Sequence, residues 1–99
     1  MSIESRELTL FIINDGKLFE KVTSPACVNL AGKMRKGIFD AEKAKVMFYH
    51  VAEAGAKEYN RVFGSKDIAW NVMFPTQDRR ECASELLEHY MEGIQELAQ

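Results

Sequence analysis

The chain has little of the two residue types that cross-link small domains or bind metals. Among its 99 residues are two cysteines, Cys27 and Cys82, and two histidines, His50 and His89. These four are scattered, and no two cysteines stand three positions apart, so neither a disulfide framework nor a zinc site is indicated. We therefore expect two free buried thiols, no metal and no cofactor.

Motifs for catalysis and phosphate binding are also missing. The six glycines do not form a dinucleotide-binding or P-loop pattern, and no nucleophile elbow or zinc-protease motif occurs. Each histidine stands alone in the middle of a predicted helix, without a local partner for a cysteine–histidine pair. We predict that the protein is not an enzyme.

Long apolar runs are absent as well. No stretch approaches the roughly 20 apolar residues that a membrane helix needs. The first residues also lack the basic and then apolar arrangement of a secretory signal. We therefore expect a cytoplasmic protein without a membrane partner.

What the chain does contain is a globular balance of residues. Apolar residues make up 46% and charged residues 28%, and there are six Phe, three Tyr and one Trp. This length and composition predict a single domain over residues 1–99 with one modest core. The net charge of −2 is too small to indicate a nucleic-acid or membrane partner by itself.

The clearest element is a helix over residues 40–63. Asp40 is suited to cap its start, Glu42 suits its first turn, and Gly64 suits its end. Gly55 interrupts the apolar face, which predicts that another helix crosses closely at that point. The residues of this face recur every three or four positions: Ala44, Phe48, Val51, Gly55, Tyr59 and Val62.

A second helix is predicted over residues 76–98. Pro75 and Thr76 mark its start, with the threonine as the cap. Residues 65–75 before it are predicted to form a loop whose larger side chains, Trp70, Met73 and Phe74, cover the core. The apolar face of this helix comprises Ala83, Leu86, Leu87, Tyr90, Ile94 and Leu97.

The first half of the chain is open to two interpretations. Residues 8–22 contain two apolar runs around Asn14-Asp15-Gly16, which is typical of a β-hairpin and would make the fold α+β. The same residues also hold helical spacing, which would make the fold all-α with four or five helices. A helix over residues 25–36, ending at Gly37, fits both.

The order of short motifs along residues 8–90 resembles a loosely defined group of small uncharacterised helical proteins encoded by bacteriophages and other mobile elements. The group's glycine-asparagine-tyrosine-aspartate ending is absent here. The resemblance implies a phage or plasmid origin, the cytoplasm of a bacterial host, and helix in the first half; it implies no activity. The motifs that carry it are Leu18-Phe19, Pro25, Asn29-Leu30, Lys36-Gly37-Ile38-Phe39-Asp40, Glu42-Lys43-Ala44, Gly55-Ala56-Lys57-Glu58-Tyr59, Phe63-Gly64, Trp70, Met73-Phe74-Pro75, Arg79-Arg80 and Ala83.

Acidic residues recur along the last helix, and we call this set the acidic face. Its glutamates fall within about 80° of one another on a helical wheel. Residues 76–99 hold six acids and two arginines, a net charge of −4, while the other 75 residues hold nine acids and eleven bases. The acidic face is either a solvated outer surface or a recognition surface for a basic partner protein. It comprises Asp78, Glu81, Glu85, Glu88, Glu92 and Glu96.

Together with the resemblance, the acidic face suggests an accessory protein of a mobile element. Such a protein would act by binding a host or phage protein, such as a host defence or regulatory factor. Most aromatic residues stand at core spacing, and any that stay exposed would point first to a symmetric homodimer.

The alternative function is nucleic-acid binding through a basic cluster around the turn at Gly37. Two helices joined by a short turn resemble a helix-turn-helix arrangement. Against this, Asp40 and Glu42 would meet phosphates unfavourably, and Phe48 stands where a base-reading polar residue is wanted. The basic cluster comprises Lys33, Arg35, Lys36, Lys43 and Lys45.

Overall fold

A computed structural model describes residues 3–64 and 66–99, and most of them are helical. No strand occurs within these ranges, so the all-α prediction is confirmed and the α+β alternative, with its hairpin at residues 8–22, is wrong. The elements are α1 (Ile3–Asn14), α2 (Gly16–Leu18), a π-helical turn (Phe19–Thr23), α3 (Ser24–Arg35), α4 (Ala41–Phe63), α5 (Trp70–Met73) and α6 (Thr76–Leu97).

The predicted hairpin turn is in fact a helix start. The carboxylate of Asp15 accepts a hydrogen bond from the backbone N–H of Leu18 at 2.9 Å, which caps α2. Leu8 and Ile12, four residues apart, are fully buried, whereas Leu10 between them is exposed. Side chains that are buried every four residues, and not every two, are typical of a helix and not of a strand.

The core forms between α4 and α6, which make the most extensive helix pair in the described chain. Phe48 of α4 and Leu86 and Ile94 of α6 are fully buried there. Helices α1 and α3 also pack on α6. The helical spacing that predicted α4 and α6 is therefore confirmed for their central turns.

Two of the predicted core positions lie outside the core. Val62 is 49% exposed and Leu97 is 50% exposed. Both stand in the last turn of their helices, where the neighbouring helices no longer cover them.

The connection between α3 and α4 is fixed by backbone and side-chain hydrogen bonds. Gly37 has a φ of 72°, and the N–H groups of Gly37 and Ile38 close the end of α3. Asp40 then caps α4 by accepting from the N–H groups of Glu42 and Lys43 at 2.9 and 3.1 Å. The cap predicted from the sequence at Asp40 is confirmed.

The predicted cap of α6 is wrong. Pro75 holds the N-cap position and Thr76 is the first helical residue. The hydroxyl of Thr76 instead accepts a hydrogen bond from Nη2 of Arg79 at 3.2 Å. Before them, Phe74 is buried in the core as predicted, and Trp70 and Met73 are half-buried in the short helix α5.

Candidate functional site

The structure divides the acidic face into two parts. In the first part, Oγ of Ser5 on α1 donates a hydrogen bond to Glu81 at 2.9 Å, and Arg6 forms an ion pair with Glu85. Asp78 is half-buried in the first turn of α6, where a negative charge favours the helix dipole. These three acids therefore help to hold the first half of α6 within the fold.

The second part consists of Glu88, Glu92 and Glu96, which we call the exposed acidic strip. All three side chains are exposed. Within residues 3–64 and 66–99, no basic side chain forms an ion pair with any of them. The strip is therefore the part of the acidic face that is available to a partner.

A shallow depression of about 770 Å³ joins the two parts of the acidic face on the surface of α6. The carboxylate of Glu85 has one oxygen, Oε2, that is buried without a hydrogen-bond partner among the described residues. The depression is lined by Gln77, Arg80, Glu81, Ser84, Glu85, Glu88 and His89.

The structure brings the residues of the basic cluster to one corner, at the turn between α3 and α4. Lys33 is half-buried and the other four are exposed. Two of the five have interactions within the chain: Arg35 donates to the backbone oxygen of Leu97 at 2.7 Å, and Lys45 lies 3.6 Å from Glu42. The contact with Leu97 places the basic cluster beside the last turn of the acidic helix.

Arg79 is a buried cation whose side chain is only 7% exposed. Its Nε and Nη2 donate to the hydroxyl of Tyr49 at 3.2 and 2.9 Å, and its Nη1 donates to the backbone oxygen of Phe74 at 2.9 Å. The guanidinium carbon also lies 4.9 Å from the centre of the Trp70 ring. Position 79 has helical spacing with the buried Ala83, and this signal could have identified it.

A groove of about 460 Å³ runs between α4 and α6, and we call it the α4/α6 groove. It adjoins the depression on α6, with which it shares Arg80 and Ser84. No residue of the exposed acidic strip lines the α4/α6 groove. Its lining residues are Glu42, Lys45, Val46, Tyr49, Arg80, Ala83 and Ser84.

The cysteines and histidines are not brought together as one site. Both thiols are free and buried, as predicted, and burial raises the pKa of Cys82 to about 12. Nδ1 of His50 lies 3.0 Å from Glu53, and His89 lies edge-on to the ring of Tyr90. The described part of the chain holds no group of three or more His, Cys, Asp or Glu residues arranged for a metal ion.

Among the aromatic residues, Phe63 stays on the surface and is 64% exposed. It lies 6.0 Å from Phe11, ring centre to ring centre, and both line a small depression with Leu10. The homodimer that such exposure would indicate stays a prediction.

No family model matches the chain, and neither a curated protein nor a solved structure matches it. None of the helices within residues 3–64 and 66–99 is both long and apolar enough to cross a membrane. The origin in a mobile element therefore stays a prediction.

Proposed function

We propose that the protein acts by binding a basic partner protein through the exposed acidic strip. The observation that carries this proposal is the exposure of Glu88, Glu92 and Glu96 on successive turns of α6, without a basic side chain paired to them in the described chain. A role as an accessory protein of a mobile element, acting on a host defence or regulatory factor, belongs to the same proposal and rests on the resemblance.

The strip does not stabilise the helix that carries it. Like charges four residues apart cost a few tenths of a kcal/mol per pair. Glu96 also stands in the last turn of α6, where the helix dipole disfavours negative charge. A feature that costs stability and is exposed on a rigid helix is well suited to recognition.

The geometry suits a partner with a basic groove. Successive turns of a helix are about 5.4 Å apart, so the strip presents three carboxylates in a row at nearly that interval. Arg79 is buried, which leaves Arg80 as the exposed arginine of α6. The strip therefore presents a concentrated negative field to a basic surface, which favours fast association.

A charge-matched pair of variants tests the proposal. The test variant neutralises the strip with Glu88→Gln, Glu92→Gln and Glu96→Gln. The control variant neutralises three exposed acids elsewhere in the chain with Glu4→Gln, Glu20→Gln and Glu42→Gln. Both variants have the same net charge, so non-specific ion exchange weakens equally in both.

The measurement is affinity capture from nuclease-treated bacterial lysate, read by mass spectrometry. We expect a basic protein that the wild type and the control variant retain and the strip variant loses. Equal retention by both variants, or equal loss, would contradict the proposal. Glu85 is left unchanged because its ion pair with Arg6 joins α1 to α6.

Nucleic-acid binding is the second candidate, favoured by the convergence of the basic cluster at one corner. Lys33, Lys36 and Lys43 form no ion pair in the described chain. Binding through them would weaken steeply with salt, because each phosphate contact releases a counterion. Anisotropy of a labelled DNA or RNA at two salt concentrations measures this; no binding at low salt would exclude it.

A further inference from the structure

We propose that the α4/α6 groove binds a small organic anion with an apolar ring, in which one carboxylate or sulfonate meets the donors of the groove. This binding is independent of the exposed acidic strip, which would attract groups of the opposite charge. The volume of about 460 Å³ lies within the range of small-molecule sites, about 300–1,000 Å³.

The first argument is the hydrogen bonding of Tyr49. Its hydroxyl oxygen accepts from both Nε and Nη2 of Arg79. A tyrosine hydroxyl also has one proton to donate, and Tyr49 lines the groove. The Tyr49 hydroxyl is therefore held in place by a cation and has one proton left to donate, which our proposal assigns to the anion.

The second argument is the charge behind Tyr49. Arg79 is more than nine-tenths buried, and the hydrogen bonds described for its guanidinium all end on neutral oxygens, those of Tyr49, Thr76 and Phe74. A buried positive charge solvated by neutral groups acts over a longer range than an ion pair does. An anion in the adjacent groove would be attracted to it.

The rim of the groove adds two more cations. Arg80 is exposed and forms no hydrogen bond or ion pair with any residue in the described ranges, and Lys45 lines the same groove from α4. Glu42 also lines the groove and lies 3.6 Å from Lys45. Among the residues that line the groove, two bases stand against one acid, and the positive charge that remains suits a ligand with a single negative charge.

The apolar residues of the groove favour a ligand whose uncharged part is an aromatic ring. Val46 is 57% exposed although it is a large apolar side chain. Ala83 and Tyr49 line the groove with it, and the small Ala83 leaves room between the helices. A flat aromatic ring would cover Val46 and gain the burial of apolar surface.

The test uses two probes of nearly the same shape, the anion naphthoate and its neutral amide, naphthamide. Chemical-shift changes of backbone amides during titration locate the binding and give its Kd. We expect naphthoate to shift the amides around Val46, Tyr49, Arg80 and Ser84. Naphthamide should bind about tenfold more weakly, because it lacks the charge-assisted hydrogen bonds.

Matched variants test whether naphthoate binds in the α4/α6 groove. Val46→Asp and Arg80→Glu should each weaken naphthoate binding by about tenfold or more. The controls are Val28→Asp, whose valine is 54% exposed on α3, and Lys66→Glu, and both should leave the Kd unchanged. Neutralising the acidic strip should not weaken naphthoate binding, so that failure here and failure of the proposed function are distinguishable.

Three results would overturn the inference: groove amides that naphthoate leaves unshifted, naphthamide binding as tight as that of naphthoate, or groove variants that bind like the controls. Sedimentation velocity of the wild type and of Val46→Asp tests whether the groove is a dimer interface. A dimer that Val46→Asp dissociates would assign the groove to a second copy of the chain and not to a small anion.

Discussion

Ile12 of α1 fills the space that a side chain at position 55 of α4 would need. A Cβ placed on Gly55 would overlap Cδ1 and Cγ1 of Ile12, and both residues are buried. Glycine at this position therefore lets α1 and α4 approach more closely than any other residue would allow.

Gly55→Ala should therefore destabilise the fold, although alanine is the better helix former. We expect a loss of about 1–3 kcal/mol in the free energy of unfolding, from overpacking against Ile12. The control is Gly93→Ala on α6, where an added Cβ meets nothing within 4 Å; it should be stabilising by about 0.5–1 kcal/mol. Urea denaturation measures both.

The double variant Ile12→Val, Gly55→Ala checks the cause. Ile12→Val removes Cδ1 and with it part of the overlap. Gly55→Ala should therefore lower the free energy of unfolding less in the Ile12→Val protein than in the wild type. Equal costs in both backgrounds would mean that Ile12 is not the obstacle.

The close approach at Gly55 was predictable from the sequence, because glycine is disfavoured inside a helix and its place within an apolar stripe indicates a neighbouring helix. The burial of Arg79 was predictable only in part: its helical spacing with Ala83 places it on the buried side of α6, but a charged residue is ordinarily expected at the surface. The division of the acidic face was not predictable. Which acids of α6 are covered depends on where α1 docks, and Ser5 of α1 is 76 residues from its partner Glu81.

Two buried threonines should respond in opposite ways to replacement by valine. The hydroxyl of Thr23, at the end of the π-helical turn, has no hydrogen-bond partner among the described residues. Thr23→Val should therefore stabilise the protein by about 1 kcal/mol, since a buried polar group without a partner is costly. If Thr23→Val instead lowered the free energy of unfolding as much as Thr9→Val does, the Thr23 hydroxyl would have a hydrogen-bond partner.

The control is Thr9→Val, measured by the same thermal and urea unfolding. Oγ1 of Thr9 donates to the backbone oxygen of Ser5 at 2.9 Å, and, against the larger effect of burial, proximity of the Thr9 hydroxyl also lowers the pKa of the Cys82 thiol. Loss of the hydrogen bond to Ser5 should lower the free energy of unfolding by about 1 kcal/mol.

Stability should fall as the pH rises above about 9, because of Cys82. Burial raises the pKa of this thiol from 9.0 to about 12, so the unfolded chain releases a proton that the folded chain keeps. The contribution is present below pH 9 and is lost as the pH rises toward the folded-state pKa. Between about pH 8 and 10 the loss should be about 1 kcal/mol.

Urea denaturation at several pH values between about 8 and 10 gives the decrease of the free energy of unfolding with pH. Cys82→Ala should make this slope smaller. Ser84→Ala, an exposed neighbour on the same helix, should keep the wild-type slope. A slope that is unchanged in Cys82→Ala would contradict the assignment.

Arg79 and Arg80 are adjacent in sequence but should differ in their tolerance of lysine. Arg79→Lys should cost about 2 kcal/mol, because an ammonium cannot replace the stacked, hydrogen-bonded guanidinium. Arg80→Lys, at an exposed position, should stay within about 0.5 kcal/mol of the wild type. Trp70 is the sole tryptophan, so its fluorescence should change in the first variant and not in the second.

Helix α6 is tied at both ends to the first third of the chain, by Ser5 and Arg6 near its start and by Arg35 at its last turn. These contacts join residues 62 to 79 positions apart. Bringing such distant segments together is slow compared with forming a local turn. During synthesis, the side of α1 that packs on α6 therefore stays uncovered until α6 has been made. Apolar surface that is exposed in this way favours aggregation and chaperone binding.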